Sequence, residues 1–310
     1  MYKEAQTPLG LWRYFPESGM NVLDTDIKGE SWHPLVVSIA ITGRCYKGCH
    51  FCYASSTKEG TSSWRYSELV DFIVDLDRHG VFSVTLGGGE PTLWEDEEAG
   101  KNFDDLIADL YKQVSLSLTF TSSGVPKLNV DQLPDIPLRL SCHFPWEAKT
   151  LIKRAKRLLS GKSISSVGIN LLLWRTHLDQ CRQAIYQFMA AGFNDILLLT
   201  MQPAGFGVHF ADESLNEHEV ASFISSLGLN ALRLTACHKP PPLSISTDMG
   251  CGANDWFVSI TEHKIVKSCS FVGSGHPLTE PTYNGLLAAS KGLPRLPCYR
   301  SYKTSQLSQY

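Results

Sequence analysis

Three cysteines crowd into the stretch Cys45-Tyr-Lys-Gly-Cys49-His-Phe-Cys52, a C-x3-C-x2-C pattern. Thiolates this close cannot serve separate sites; they converge on one centre. On a four-iron cube, three protein ligands leave one iron open to a substrate or cofactor, whereas a structural zinc normally takes four. A zinc knuckle or redox-active cysteines are the alternatives. The loop follows an apolar run, Leu35 to Thr42, and so lies at the C-terminal end of a strand, where open sheets and barrels keep their chemistry.

A second motif, Gly88-Gly89-Glu90-Pro91, follows the next strand. Glycines let backbone approach a ligand closely and adopt positive φ. A carboxylate beside them can accept hydrogen bonds from an ammonium group. Later strand ends carry softer polar candidates: Thr121-Ser122-Ser123-Gly124, Ser141 and His143, Asn170, Arg175, and Gln202-Pro203-Ala204-Gly205. Each could equally be an ordinary polar residue at a strand end. For His143, a satisfied or solvent-facing ring is the expectation over a general base.

The other six cysteines are at 142, 181, 237, 251, 269 and 298. Cys142 alternates with Ser141 and His143, so it is expected to face packing; Cys181 reads as structural. Cys237, Cys251, Cys269 and Cys298 form a second candidate ligand set. Cys251 and Cys269 bracket a hairpin pattern, Trp256 to Ile260 and Lys264 to Ser268 around Thr261-Glu262-His263.

The elements that must position these groups repeat as strand and helix. Strands are expected at Leu35–Thr42, Phe82–Leu86, Leu116–Thr121, Leu138–His143, Ser166–Leu173 and Asp195–Thr200, with a weaker one at Arg233–Thr235. Helices are expected at Ser63–His79, Phe103–Lys112, Trp146–Leu159 and Leu178–Ala191. The alternation implies βαβ units, a parallel sheet and right-handed crossovers. Six strong strands are too few for a closed eight-stranded barrel. The expected fold is α/β: a partial (β/α)6 TIM-like barrel at 35–235, an irregular strap or short helix as an N-terminal extension at 1–34, and a small C-terminal appendage containing the hairpin and binding a cluster at 236–310.

The C-x3-C-x-Φ-C spacing, with Phe51 before the last cysteine, resembles the signature of the radical S-adenosylmethionine superfamily, and the resemblance runs to about residue 205. It implies that Cys45, Cys49 and Cys52 ligate a [4Fe–4S] cluster and that S-adenosyl-L-methionine occupies the fourth iron. It further implies that Gly88, Gly89 and Glu90 contact the methionine amino group, and that polar groups such as Ser122, Ser141 and Asn170 contact the cofactor, with Arg175 on its carboxylate. Phe51 joins the cofactor-binding set. The hairpin resembles those of SPASM and twitch domains, although Lys264 stands where they usually carry glycine. That likeness implies an auxiliary [4Fe–4S] cluster on Cys237, Cys251, Cys269 and Cys298; two or more of these could instead be buried thiols or zinc ligands.

Composition narrows the field. The chain has 310 residues, 43% hydrophobic and 19% charged, with a formal net charge of −3. No basic excess argues for nucleic acid. No apolar run is long enough to span a bilayer, and the first residues lack a signal-peptide pattern, so a cytoplasmic location is expected. An odd cysteine count argues against a disulfide framework. The expected reaction is reductive cleavage of S-adenosylmethionine, then hydrogen abstraction for a net oxidation or crosslink of a peptide side chain or small metabolite. An electron donor such as flavodoxin or ferredoxin would supply the electron. Residues 1–34 leave no room for a separate leader-peptide-binding domain, which mildly disfavours a peptide substrate. Rearrangement, C–C bond formation or epimerisation is the alternative outcome; a non-catalytic zinc- or cluster-binding interaction protein is the alternative class.

Overall fold

Alternation governs the central sheet, and it sorts each strand into a face packed on helices and a face turned toward a cavity. The computed structural model describes residues 3–7, 10–15, 20–24, 34–124, 133–161, 164, 166–228, 233–234, 253–254 and 256–294. Strands β1 (Lys3–Thr7), β2 (Gly10–Phe15) and β3 (Met20–Asp24) form an antiparallel sheet. This corrects the expectation of an irregular strap or short helix. The three strand ranges contain no proline, a residue that could not donate to the ladder. The strands themselves carry β-favouring Trp12, Tyr14, Phe15 and Val22.

The main unit then runs β4 (Val36–Thr42), α1 (Tyr66–Arg78), β5 (Ser83–Gly88), a small ribbon of β6 (Glu95–Asp96) and β7 (Lys101–Asn102), α2 (Phe103–Gln113), β8 (Ser117–Ser122), β9 (Leu138–Cys142), α3 (Ala148–Ser160), β10 (Val167–Leu173), α4 (Leu178–Ala190), β11 (Ile196–Thr200), α5 (Glu217–Leu227), β12 (Arg233–Leu234), β13 (Phe257–Ile260), β14 (Ile265–Lys267), β15 (His276–Pro277) and α6 (Tyr283–Ser290). The ten-stranded sheet has the order β12-β11-β10-β9-β8-β5-β4-β13-β14-β15. All neighbours from β12 to β13 are parallel. Only the last two pairings are antiparallel. The sheet is open, in keeping with an incomplete barrel.

Val37, Ile39 and Ile41 of β4 are fully buried, as are Val84 and Leu86 of β5. Their neighbours Ser38, Ala40, Thr85 and Gly87 line a cavity on the other face. Helix α1 covers the outside with Leu69, Phe72, Ile73 and Leu76. Each such side chain contributes about 1.5–3 kcal/mol by leaving water. The helix begins three residues later than its apolar pattern suggested. Ser62 is held by its hydroxyl donating to the Ile41 carbonyl at 2.6 Å, and the Ser63 N–H donates to the Glu262 carbonyl at 2.9 Å.

The hairpin exists where expected, but it is not set apart from the barrel. Its first strand, β13, pairs in parallel with β4, in the register Phe257 to Val36 through Ile260 to Ile39. The Trp64 indole N–H, shared between the carbonyls of Ala40 at 3.2 Å and Thr261 at 3.3 Å, ties the two together.

Candidate active site

Strand β4 ends at Thr42, and the chain turns into the cysteine loop. That loop folds back on itself: the Gly43 N–H donates to the Thr61 carbonyl at 2.8 Å, and the Cys45 N–H to the Thr57 carbonyl at 2.7 Å. A Cβ on Gly60 would sit 2.1 Å from the Gly43 oxygen, so only glycine permits the closure. Ion pairs anchor the loop outward, Lys47 to Glu147 at 2.6 Å and Arg44 to Glu95 at 2.6 Å.

Cys45, Cys49 and Cys52 all line one cavity of about 950 Å³ at the C-terminal ends of the strands. Burial pushes the Cys49 thiol up to about 12, with Cys52 adding to the shift and Lys47 opposing it. Burial also raises Cys45, against a backbone hydrogen bond at Lys47 that lowers it. Unmetallated, the Cys45 and Cys49 thiols stay protonated at neutral pH. A metal would displace their protons, since it binds only the thiolate. Among the described residues no three His, Cys, Asp or Glu side chains close up as around a single ion. Three soft donors sharing a cavity wall suit a polynuclear iron–sulfur centre.

Phe51, between the last two cysteines, is packed in a ring cage. Its centroid lies 4.8 Å from Trp174 and 5.3 Å from Phe144, both edge-on, and 6.2 Å from Phe210. Such edge-to-face pairs each add about 0.5–1.5 kcal/mol beyond burial.

The glycine motif sits directly beside the loop. The Gly89 N–H donates to the Thr42 carbonyl at 2.7 Å, and the Glu90 N–H to the Arg44 carbonyl at 2.8 Å. Gly88 has φ +124°, and a Cβ there would lie 2.3 Å from the Thr42 oxygen; one on Gly89 would lie 2.3 Å from the Arg44 oxygen. Gly88 and Gly89 line the cavity, and their missing Cβ atoms let the strand end close on the Thr42 and Arg44 backbone. Glu90 lies behind them, 1% exposed. Its carboxylate accepts from the Ser123 N–H at 2.8 Å, the Ser123 hydroxyl at 2.5 Å and the Thr92 hydroxyl at 2.9 Å.

Ser122, Ser141 and Asn170 line the same cavity. Ser122 Oγ accepts from the Gly124 N–H at 2.9 Å, and Asn170 Oδ1 accepts from Arg139 Nε at 2.6 Å. Arg175 is placed elsewhere. Its guanidinium donates to the Ser214 carbonyl at 2.5 Å and to Glu219 at 2.9 Å, and it does not line the cavity. Pairing with a carboxylate on α5 draws it to the outside. His143 does line the cavity, but contrary to expectation its Nδ1 is buried with no hydrogen-bond partner. Burial, then the nearby Lys47 charge, depress its pKa to about 4, so the ring is neutral. Cys142 and Cys181 are buried, 1% and 0% exposed.

Beside the cysteine loop, Glu262, Lys267, Ser270 and Phe271, from the hairpin and the segment after it, also line the cavity. Tyr53, next to Cys52, meets the Phe271 ring edge-on at 4.9 Å. The Tyr53 side chain is 43% exposed and lies close enough to Cys52 and Cys269 for both to act on its hydroxyl. Cys269 thus lies near the cavity, while Cys237, Cys251 and Cys298 fall outside the described residues. Sequence reasoning missed Glu262, Lys267 and Tyr53 as cavity residues. Only strand pairing between residues more than 200 positions apart brings the hairpin here, and no local pattern encodes that pairing.

Residues 39–136 match the model of the Radical SAM superfamily. The mycofactocin maturase MftC of Mycolicibacterium smegmatis is 25% identical over 197 residues, 58% of this chain and 48% of that protein. The sporulation killing factor maturation protein SkfB of Bacillus subtilis is 34% identical over 64 residues, 21% of this chain and 16% of that protein. The chain thus spans about half or less of the length of these relatives. Among solved structures, Streptococcus suis SuiB bound to its precursor peptide SuiA superposes with a TM-score of 0.69 at 13% identity, covering 99% of this chain and 91% of that one. The enzyme anSMEcpe with bound AdoMet gives a TM-score of 0.57 at 15% identity, covering 82% and 80%. The match over 39–136 takes in both the cysteine loop and the glycine motif.

Proposed function

We propose that this chain is a radical S-adenosylmethionine enzyme that abstracts hydrogen from a peptide substrate, for a net oxidation or crosslink of a side chain. The observation that carries the reading is the meeting of three thiols and two bare glycines on one cavity wall. Cys45, Cys49 and Cys52 would hold a [4Fe–4S] cluster, and the backbone of Gly88 and Gly89, with Ser122, Ser141 and Asn170, would hold the cofactor. When bound, cluster and cofactor together supply reductive cleavage to methionine and a 5′-deoxyadenosyl radical. The protein's own part is to orient and to exclude water. Phe51 and its ring cage dry the cluster side, and Glu90, fixed by Ser123 and Thr92, presents negative charge beneath the glycines.

The peptide substrate is supported by the company the chain keeps. MftC and SkfB are maturation proteins by name, and SuiB is seen with a precursor peptide. A second reading, a small-molecule substrate, is favoured by one further relative, a probable GTP 3′,8-cyclase of Saccharolobus solfataricus, 22% identical over 209 residues. Cys269 adjoins Ser270 and Phe271, which line the cavity, so an auxiliary cluster held in part by Cys269 would stand close enough to take an electron from a substrate radical. No described helix is long and apolar enough to cross a membrane, which is compatible with a cytoplasmic enzyme.

The test is anaerobic reconstitution followed by iron analysis and an assay for 5′-deoxyadenosine under strong reductant. The reading expects cofactor cleavage, with about four irons per chain for one cluster or about eight for two. A colourless zinc protein, or one that never cleaves the cofactor, sinks it. Cys269→Ala should leave the first cluster's spectrum intact.

A further inference from the structure

Helix α3 departs from the charge balance of the rest of the chain. Its sequence, AKTLIKRAKRLLS, contains five cations and no acid. Ala148, Leu151, Ala155 and Leu158 pack inward. At 3.6 residues per turn Lys149, Lys153, Lys156 and Arg157 fall on one arc opposite that face. All four are exposed, and among the described residues none has an ion pair. A solvated basic face usually needs no further explanation, but this one has a specific location.

The helix starts against the cysteine loop. Glu147, the residue before it, binds Lys47 at 2.6 Å, and Glu147 lies close enough to act on the Cys49 thiol. Just ahead, Trp146 is 60% exposed. From its ring a packed series runs inward: Trp146 to Phe144 at 4.8 Å, Phe144 to Trp174 at 5.3 Å, Trp174 to Phe51 at 4.8 Å. Phe51 is flanked in sequence by Cys49 and Cys52. The surface beside the basic arc therefore connects to the thiol trio through close-packed atoms, with no solvent gap. It also lies on the helical layer outside the sheet, whereas a substrate must enter the cavity inside.

We propose that the outer face of α3, with Trp146 at its head, is the docking surface for an acidic one-electron carrier protein. The proposal rests on the radical-enzyme reading above and names the partner that reading requires. Positive charge here steers an acidic carrier and fixes its orientation, and the screened nature of such contacts makes docking salt-dependent. The carrier's reduced flavin or iron–sulfur group is oxidised by one electron, which passes to the centre held by the three cysteines; no atom or proton is exchanged.

The experiment uses reconstituted holoenzyme and two labelled probes, an acidic flavodoxin and an acidic [2Fe–2S] ferredoxin, with binding read directly by fluorescence anisotropy. Wild type should bind at least one carrier, more weakly as salt rises. The K149E/K153E/K156E variant should bind it at least about tenfold more weakly. The K149Q/K153Q/K156Q variant should fall between, which separates charge from misfolding. In parallel, 5′-deoxyadenosine formation driven by the carrier should fall about tenfold in the charge-reversed variant while dithionite-driven formation holds. Absent wild-type binding to both carriers, or binding unchanged by charge reversal, overturns the proposal. Binding of a single-stranded RNA in place of the carriers overturns it too. If wild type makes no 5′-deoxyadenosine even with dithionite, the parent reading fails, and the binding data still judge the docking surface.

Discussion

Ser123 grips Glu90 twice, with its backbone N–H at 2.8 Å and its hydroxyl at 2.5 Å on the same carboxylate oxygen. Both residues are buried, so neither bond has water as a substitute. The carboxylate that underlies the glycine cradle is thus fixed by the end of a different strand, β8. Ser123→Ala removes one of the two bonds and should cost about 1–3 kcal/mol of stability, because a charged acceptor loses a buried donor. Glu90→Ala should cost more in cofactor binding than in stability. Equilibrium dialysis with S-adenosylmethionine, set beside thermal melts, separates the two effects. Equal cofactor affinity in Glu90→Ala and wild type would remove Glu90 from the site.

Gly88 and Gly89 touch backbone, not flexible side-chain ends, so the neighbours cannot yield cheaply. Gly89→Ala should therefore displace the loop at Arg44, and Gly88→Ala adds a strained positive φ. Either should lower the melting temperature by an amount equivalent to about 1–3 kcal/mol and weaken cofactor binding together with it. Gly100→Ala is the control: φ is also positive there, but a Cβ meets nothing within 4 Å. It should strain the backbone locally and leave cofactor binding unchanged.

The cysteines divide by surroundings. Cys45→Ala, Cys49→Ala and Cys52→Ala should each abolish the iron of the first cluster and all 5′-deoxyadenosine formation. Cys181→Ala, in the core behind β10, should keep the iron and lose about 1–3 kcal/mol of stability through lost packing. Iron content after anaerobic reconstitution distinguishes the classes, and an iron-free Cys181→Ala that still melts like wild type would break the division.

His143 sets a pH signature. Its folded pKa of about 4 lies below its ordinary 6.5. Between those values the unfolded chain binds a proton that the folded one refuses, so stability rises with pH over that window and is flat above it. The contribution lost on acidification is up to about 3 kcal/mol. Thermal melts of the metal-free protein from pH 4 to 7 should show the slope, and His143→Gln should flatten it. A His143 signal titrating near 6.5 by NMR would contradict the buried, neutral ring.

Much of this architecture was legible in residue order because it is locally encoded. LVVSIAIT announces β4, and Leu69, Phe72, Ile73 and Leu76 announce α1. The cysteine and glycine motifs fall at the ends of β4 and β5, and both reach the cavity. Two helices went unread. Helix α5 is only weakly amphipathic, although the Asn216 cap with Glu219 three residues on was a usable start signal. Helix α6 spans eight residues behind a Thr282 cap. Arg175 shows a different failure. Its position after β10 was readable, but its partner Glu219 sits on the unread α5, and long-range pairing decided where the guanidinium went.

The parallel seam between β13 and β4 has a consequence for how the protein is made. Emerging from the ribosome, β4 and its cysteine loop precede by more than two hundred residues the strand that completes their flank. Until residue 260 is synthesised, that flank is a bare row of peptide groups, and Trp64 has only one of its two carbonyls. The flank of the cysteine loop is therefore complete only once the far hairpin has been translated.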